Sequence, residues 1–184
     1  MQKEVIIAGF GGQGVLFAGQ LLAYAGMDVG KDVTWIPSYG PEMRGGTANC
    51  TVVISDEEIG SPFVMSPTAV LAMNLPSLDK YEHLVKPGGV LVVNASMVNR
   101  EVQREDIIVV SLPANEIAEE VGSKRAVNMV MLGALLANSD ILSLEAMEAA
   151  LEVHLPERHK KFLPANKAAL RQGAAHKARE AVNA

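Results

Sequence analysis

A glycine-rich turn near the start of the chain constrains the fold more than any other feature. An apolar run at residues 5–8 leads into Gly9-Phe-Gly-Gly-Gln-Gly14, and a helical pattern of apolar residues follows. This order predicts a buried strand, a tight turn and a helix start, the setting in which G-x-G-x-x-G binds nucleotides. Glycines permit close approach of a ligand, and the following helix start favours an anion. Alternatively, these glycines only allow tight packing of the strand against the helix.

The alternation of strands and helices along the rest of the chain predicts an α/β fold. Strands separated by helical segments imply a mainly parallel sheet that is covered on both faces. We therefore expect a Rossmann-like single domain over residues 1–184, with a C-terminal helical extension at about 157–184. The predicted strands are 5–8, 33–36, 47–55, 70–73, 90–93 and 107–112, and the predicted helices are 14–30, 75–85, 114–121, 127–138, 143–154 and 157–181.

Charge and hydropathy exclude several classes of protein. The net charge of -5 argues against nucleic acid as a partner, because phosphate binding requires a positive surface. We expect no membrane span, since no apolar run reaches the roughly 18 residues that one requires. With no signal-peptide pattern at the start, a cytoplasmic location is expected. Residues 157–184 carry a local charge of +5, which predicts either a solvated helical face or contact with an acidic partner.

The residues needed for redox chemistry or metal binding are scarce. Cys50 is the one cysteine, and its apolar strand predicts a buried small side chain rather than a nucleophile. One thiolate cannot hold an iron–sulfur cluster, which typically needs about four. The four histidines are scattered, so no metal site and no catalytic residue is predicted. We expect no cofactor to be bound by this chain alone.

The residues after the second predicted strand argue against an autonomous NAD-dependent dehydrogenase. A Rossmann site for NAD has an acidic residue there, which binds the ribose hydroxyls. This strand ends in Trp35-Ile-Pro-Ser38, and the nearest acids are Asp32, before the strand, and Glu42, in the following loop. Neither carboxylate is well placed for a ribose.

A second loop, Ser38-Tyr-Gly-Pro-Glu-Met-Arg-Gly-Gly46, is predicted to lie at the same sheet edge as the glycine turn. Arg44 can reach an anion with a two-pronged contact, or it forms a local ion pair with Glu42 that shapes the loop. The two loops together form the candidate site, which binds a cofactor or forms a subunit edge. Its residues are Gly9, Gly11, Gly12, Gln13, Gly14, Ser38, Tyr39, Gly40, Glu42, Arg44, Gly45 and Gly46.

The two loops, in this order, resemble those of a known family. Residues 6–15, 38–47 and 52–55, with 86–90 and 128–133, are similar to the γ subunit of 2-oxoacid:ferredoxin (acceptor) oxidoreductases. The resemblance covers nearly the whole chain. The Ser-Tyr-Gly-Pro-Glu-x-Arg-Gly-Gly form looks more like the 2-oxoglutarate and branched-chain 2-oxoacid groups than the pyruvate group.

The resemblance implies a function shared among several chains. Such complexes oxidise a 2-oxoacid with CoA to an acyl-CoA and CO2 and pass the electrons to ferredoxin. It also implies that thiamine diphosphate, Mg²⁺ and iron–sulfur clusters are held by other chains: α and β subunits that bind thiamine diphosphate, and a ferredoxin-like δ subunit. In this view the chain is part of an enzyme without being one alone. The alternatives are a free-standing Rossmann-type nucleotide-binding protein and an assembly scaffold without a ligand.

Overall fold

A computed structural model describes residues 1–39 and 46–178 of the chain. Six strands and six α-helices are present in this part, together with 3-10 turns at Glu82–Leu84 and Glu157–Phe162. The elements are β1 (Gln2–Phe10), α1 (Val15–Asp28), β2 (Asp32–Tyr39), β3 (Thr47–Ser55), β4 (Ala69–Ala72), α2 (Leu75–Tyr81), β5 (Val90–Asn94), β6 (Ile108–Leu112), α3 (Ala114–Glu120), α4 (Val127–Ala137), α5 (Leu144–His154) and α6 (Leu163–Ala174).

The six strands form one mixed sheet in the order β2-β3-β1-β4-β5-β6. β1, β4, β5 and β6 pair in parallel, whereas β3 runs antiparallel to both β1 and β2. The predicted α/β fold with a mainly parallel sheet is confirmed, and β3 is the exception that makes the sheet mixed. β3 lies between β1 and β2 and is antiparallel to both, so β1 and β2 run in the same direction without pairing with each other.

This topology brings the two glycine loops to one side of the sheet. β1, β2 and β4 all end at what we call the carboxyl edge, and β3 begins there. The backbone N–H of Gly11 donates to the carbonyl of Gly46 at 2.8 Å. The opposite side, where β1 begins and β3 ends, is the amino edge, and Gln2 there lies opposite Ser55.

Apolar side chains alternate between the two faces of the sheet, and helices cover both. On β1, Val5 and Ile7 contribute to the core beneath α1, α4, α5 and α6, while Ile6 and Ala8 contribute to the core beside α2. Since both faces are buried, the strand appears in the sequence as a continuous apolar run rather than an alternating one.

Two glycines let α4 and α6 pack with their backbones in contact. A Cβ atom on Gly133 would lie 1.9 Å from the carbonyl oxygen of Leu170, and one on Gly173 would lie 1.9 Å from that of Val130. No side chain fits at either position. The C-terminal helical region therefore packs firmly on the rest of the chain.

The predicted boundaries hold well for α1 and poorly for the last helix. α1 ends at Asp28, and Gly30, the predicted stop, lies two residues later with a φ of 79° that does not continue the helix. The single helix predicted over 157–181 is wrong in extent. Its first turn is a 3-10 segment, and α6 begins only at Leu163, where Pro164 occupies the first turn. Within the described residues, every helix is too short or too polar to cross a membrane.

Candidate functional site

The glycine turn at the carboxyl edge has a backbone that only glycine adopts easily. Gly12 has a φ of 102° and Gly14 a φ of 77°, both in the left-handed region. Gly14 is the residue that precedes α1, and the first bond inside that helix runs from the N–H of Ala18 to its carbonyl. The N–H groups of the first turn of α1 therefore lack partners within the helix.

The side chain of Gln13 folds inward and bonds to the turn and to the neighbouring strand. Its Oε1 accepts from the N–H of Phe10 at 2.6 Å and from Nδ2 of Asn74 at 3.1 Å. Its Nε2 donates to the carbonyl of Met73 at 3.5 Å. The Gln13 amide is therefore half-buried and bonds within the protein rather than pointing outward.

This position has a consequence for ligand binding. β1 is where the strand order changes direction, and open α/β sheets bind ligands in the crevice beyond the strand ends at that point. Here the Gln13 side chain spans the gap between the ends of β1 and β4, because it bonds to Phe10 on one side and to Met73 on the other. The side chain of Gln13 thus occupies part of the crevice in which an open α/β sheet binds a dinucleotide.

An open cleft lies on the other side of β1. It has a volume of about 440 Å³ and lies between the start of α1 and the start of β3. The first turn of α1 contains no acidic residue, so its partial positive charge is not offset by a side chain there. Most of its lining is apolar, so an anionic group or a partner's backbone is suited only by the N–H groups at the start of α1 and in the glycine turn. Its lining residues are Phe10, Gly11, Gly12, Gly14, Val15, Leu16, Phe17, Gly46, Thr47 and Ala48.

Asn128, at the start of α4, holds the glycine turn by a side-chain hydrogen bond. Its Nδ2 donates to the carbonyl of Gly14 at 3.1 Å, and its Oδ1 accepts from the N–H of Met129. A Cβ atom on Gly14 would lie 2.4 Å from that Nδ2. The sequence places Asn128 at the start of a predicted helix and does not reveal its bond to the glycine turn. A buried amide within an otherwise apolar helix is the signal that marks such a residue.

The second loop is described only at its two ends. Ser38 and Tyr39 close β2 opposite Asn49 and Ala48, and Gly46 bonds to the glycine turn. The ends of the predicted pair of loops therefore do meet at the carboxyl edge. The remaining candidate residues, Gly40, Glu42, Arg44 and Gly45, lie outside the described residues, so the predicted contacts of Arg44 stay predictions.

Cys50 lies on β3, beneath the start of α1. It is fully buried, and its Sγ donates to the carbonyl of Val15 at 3.6 Å. Burial raises the pKa of the thiol to about 11, so the reactive thiolate is scarce at neutral pH. The expectation of a buried small side chain is confirmed. Across residues 1–39 and 46–178, no three His, Cys, Asp or Glu side chains converge in a way that would hold a metal ion.

Comparison with known proteins gives the chain a family. The family model for pyruvate ferredoxin/flavodoxin oxidoreductase matches residues 4–176. Ketoisovalerate oxidoreductase subunit VorA of Methanothermobacter marburgensis is 46% identical over 136 residues, which are 74% of this chain and 28% of that protein. The 2-oxoglutarate synthase subunit KorC of Methanocaldococcus jannaschii is 39% identical over 160 residues, which are 85% of this chain and 86% of that one. Pyruvate synthase subunit PorC of Methanothermobacter thermautotrophicus is 29% identical over 156 residues, which are 83% of this chain and 85% of that one.

Solved structures of similar fold support the same family. The keto/oxoacid ferredoxin oxidoreductase γ subunit of Geobacter sulfurreducens has a TM-score of 0.80 and 32% identity, covering 94% of this chain and 96% of that one. A 2-oxoglutarate:ferredoxin oxidoreductase of Magnetococcus marinus, with 2-oxoglutarate, coenzyme A and succinyl-CoA bound, has a TM-score of 0.82 and 25% identity, covering 95% of this chain and 30% of that one. The chain thus spans 28% of the ketoisovalerate relative and most of the 2-oxoglutarate relative. The resemblance noted from the two loops is confirmed: this chain belongs to the pyruvate ferredoxin/flavodoxin oxidoreductase family.

Proposed function

We propose that this chain is the γ subunit of a thiamine diphosphate-dependent 2-oxoacid:ferredoxin oxidoreductase. The complex oxidises a 2-oxoacid with CoA to an acyl-CoA and CO2 and passes the electrons to ferredoxin. The observation that carries this proposal is the match to a 2-oxoglutarate synthase subunit over 86% of that subunit's length. Over 85% of its length the chain resembles a protein that is named as a subunit.

The substrate proposed is 2-oxoglutarate or a branched-chain 2-oxoacid in preference to pyruvate. Identity supports this order, since it is 46% to the ketoisovalerate relative and 39% to the 2-oxoglutarate relative, but 29% to the pyruvate relative. The second loop, with its Ser-Tyr-Gly-Pro-Glu-x-Arg-Gly-Gly form, points the same way.

The cofactors of the complex are assigned to other chains, because the donor groups on this chain do not fit them. Its one cysteine is buried on β3 with its thiol directed at a backbone carbonyl, so it is not available to an iron–sulfur cluster. Its described carboxylates and histidines do not converge on a site for the Mg²⁺ that holds thiamine diphosphate. We therefore assign no step of the redox chemistry to this chain. The partners proposed are α and β subunits that bind thiamine diphosphate and a ferredoxin-like δ subunit, all in the cytoplasm.

The role we propose for this chain is to present its carboxyl edge to the catalytic subunits. The first turn of α1 and the N–H groups of the glycine turn offer donors to an anionic group, and the cleft beside them is open. We propose that Arg44, the one cation of the second loop, serves the same surface. CoA carries phosphates, so the edge either binds CoA directly or contacts partner backbone close to where CoA is held.

Reconstitution of the complex tests this function. The chain is co-expressed with the genes that neighbour its own, and the purified complex is assayed for reduction of viologen that depends on a 2-oxoacid and CoA. We expect activity with 2-oxoglutarate or a branched-chain 2-oxoacid, and loss of it when this chain is left out. Full activity without the chain would refute the proposal.

Calorimetry of the isolated chain with NAD, FAD and CoA tests the free-standing nucleotide-binding protein. Tight binding of NAD or FAD by the chain alone would favour that alternative. We expect no such binding, because Gln13 occupies part of the gap between the ends of β1 and β4 and because β2 ends without an acidic residue. Under the scaffold alternative, Arg44→Ala weakens assembly but leaves the apparent affinity of the complex for CoA unchanged.

A further inference from the structure

The segment that joins β3 to β4 exposes two large apolar side chains. Phe63 is 84% exposed and Met65 is 85% exposed, more than any other large apolar residue in the described part of the chain. Pro62 and Val64, which alternate with them, are partly buried. The backbone there is not helical, and this alternation places Phe63 and Met65 on the same, outward side. We call residues 57–67 the apolar segment.

The apolar segment is held in place without help from these two side chains. The N–H of Phe63 donates to Oγ of Ser61 at 3.3 Å, and Oγ of Ser66 donates to the carbonyl of Leu84 at 3.3 Å. The carbonyl of Pro67 accepts from the N–H of Lys86 at 2.9 Å. Prolines 62 and 67 further restrict the backbone. A segment that is ordered beforehand loses little conformational entropy when it binds a partner.

The first two residues of the apolar segment, Glu57 and Glu58, carry negative charge. The segment follows the amino edge of the sheet, where Asp56 bonds to Lys31 and to the amino group of Met1. The next two residues, Glu57 and Glu58, are exposed, and within the described residues neither forms an ion pair. Two free carboxylates beside two exposed apolar side chains complement an apolar pocket that has Lys or Arg at its rim.

The lengths of the relatives indicate that a larger body is available as the partner of this unit. The region that matches this chain is 28% of the ketoisovalerate relative and 30% of the Magnetococcus marinus chain. In those proteins the equivalent unit is therefore covalently joined to a much larger body. The 2-oxoglutarate relative is named as a subunit and is matched over 86% of its length, so we infer that the corresponding body there belongs to other subunits. Apolar surface exposed on such a subunit is available for contact with them.

We propose that the apolar segment docks Phe63 and Met65 into an apolar pocket, rimmed by Lys or Arg, on a catalytic subunit of the complex. This inference rests on the proposed function and adds a second contact surface to it. The carboxyl edge carries the glycine turn, whereas the apolar segment follows the opposite edge. The subunit is therefore held at two separated places.

The test compares three full-length variants for binding to the purified catalytic subunits, with affinity measured by biolayer interferometry. Phe63→Ser with Met65→Ser is the test variant, and we expect it to weaken binding at least about tenfold. Val153→Ser is the matched control, because Val153 is an apolar side chain on α5 that is 72% exposed, and we expect its affinity to equal that of the wild type. Glu57→Lys with Glu58→Lys should slow association, and more so at low than at high ionic strength.

Folding is checked on the same samples by circular dichroism and thermal unfolding, where all variants should match the wild type because the changed side chains are exposed. Four binding results decide the inference. Unchanged affinity of the double serine variant would overturn it while leaving the proposed function intact. An equal loss in Val153→Ser would overturn it too, because the effect would then not be specific to the segment. A wild-type chain that fails to bind the catalytic subunits would refute the proposed function as well. If the isolated wild type is a dimer that the double variant dissociates, with partner affinity unchanged, the segment joins two copies of the chain and the inference is wrong.

Discussion

The two edges of the sheet present surfaces of opposite construction. At the carboxyl edge the surface is made largely of backbone: two left-handed glycines, the first turn of α1 and a polar side chain that bonds inward. At the amino edge and the segment that follows it, the surface is made of side chains, with ion pairs on Asp56 and the apolar pair Phe63 and Met65. The backbone surface keeps its shape only with glycine at the left-handed positions. The side-chain surface requires only charged and apolar side chains, which several residue types can supply. The two edges should therefore respond very differently to substitution.

The largest expected effect separates two glycines of the same turn. Gly14→Ala places a methyl group in the left-handed region and also 2.4 Å from Nδ2 of Asn128. We expect it to lower the free energy of unfolding by about 2–4 kcal/mol, from the backbone strain and the overpacking together. Urea unfolding followed by circular dichroism measures the loss.

Gly12→Ala is the matched control for Gly14. Gly12 has the same kind of backbone, with a φ of 102°, but nothing within 4 Å of its added Cβ atom. Only the strain remains, so we expect a loss of about 1–2 kcal/mol. Equal losses in the two variants would mean that Asn128 does not constrain the turn and that the carboxyl edge is less rigid than described.

Gln13→Ala tests whether the same edge depends on its inward-bonded amide. The substitution leaves the N–H of Phe10 and Nδ2 of Asn74 without the acceptor they share. We expect a loss of about 1–3 kcal/mol in the free energy of unfolding, because the donors are partly buried. Gln172→Ala is the control, since Gln172 lies exposed on α6, and its effect should stay within about 0.5 kcal/mol. A larger loss in the control than at Gln13 would contradict the role assigned to this amide.

The smallest effect is expected at the amino edge, where exposed ion pairs are screened by water and salt. The hydrogen bond from Lys31, and then that from the amino group of Met1, lower the pKa of the Asp56 carboxyl to about 2. A pKa lowered on folding stabilises the native state above the unfolded value, near 4, and this contribution is lost as the pH falls through about 2. A carboxyl titration followed by NMR measures the shift directly.

Lys31→Ala should raise the pKa of Asp56 towards its ordinary value, and 1 M salt should do so in part. Asp56→Asn should lower the melting temperature slightly at pH 7, and the difference from the wild type should shrink as the pH falls from about 4 towards 2. A pKa that does not respond to Lys31→Ala would show that this pair does not form in solution.

The contrast also explains what the sequence could and could not predict. Strands and α1 follow from apolar runs and from glycines such as Gly30, because these residues act locally. The pairing of β3 between β1 and β2 does not, since it is decided by contacts between residues about 45 positions apart, such as Val5 and Val52. The pattern of glycines revealed the carboxyl edge because no other residue type fits there.

Single polar side chains were harder to interpret. Gln13 is equally compatible with an outward and an inward position until Met73 and Asn74 are placed beside it. The bond from Asn128 to Gly14 joins residues 114 positions apart, and a local pattern carries no trace of it. Phe63 and Met65 lie between two Ser-Pro pairs that predict a turn region, but the pattern does not tell which side chains of the run face outward. The helix predicted over 157–181 was wrong because the basic and apolar residues at 157–162 suit a helix, whereas the chain forms a tighter turn before Pro164.

The place of β3 in the sheet has a consequence for how the chain folds as it is synthesised. β1 and β2 leave the ribosome first, run in the same direction and have no hydrogen bonds to each other. On this side of the sheet neither strand has its hydrogen-bonding partner until residue 55 has emerged, because β3 pairs with both. β2 and β3 are neighbours in sequence, so this hairpin forms by a local step and then docks on β1 in a slower, non-local one. Until that docking, β1 has an open edge with Ile6 and Ile7 at its centre, which is the kind of aggregation-prone surface that chaperones protect.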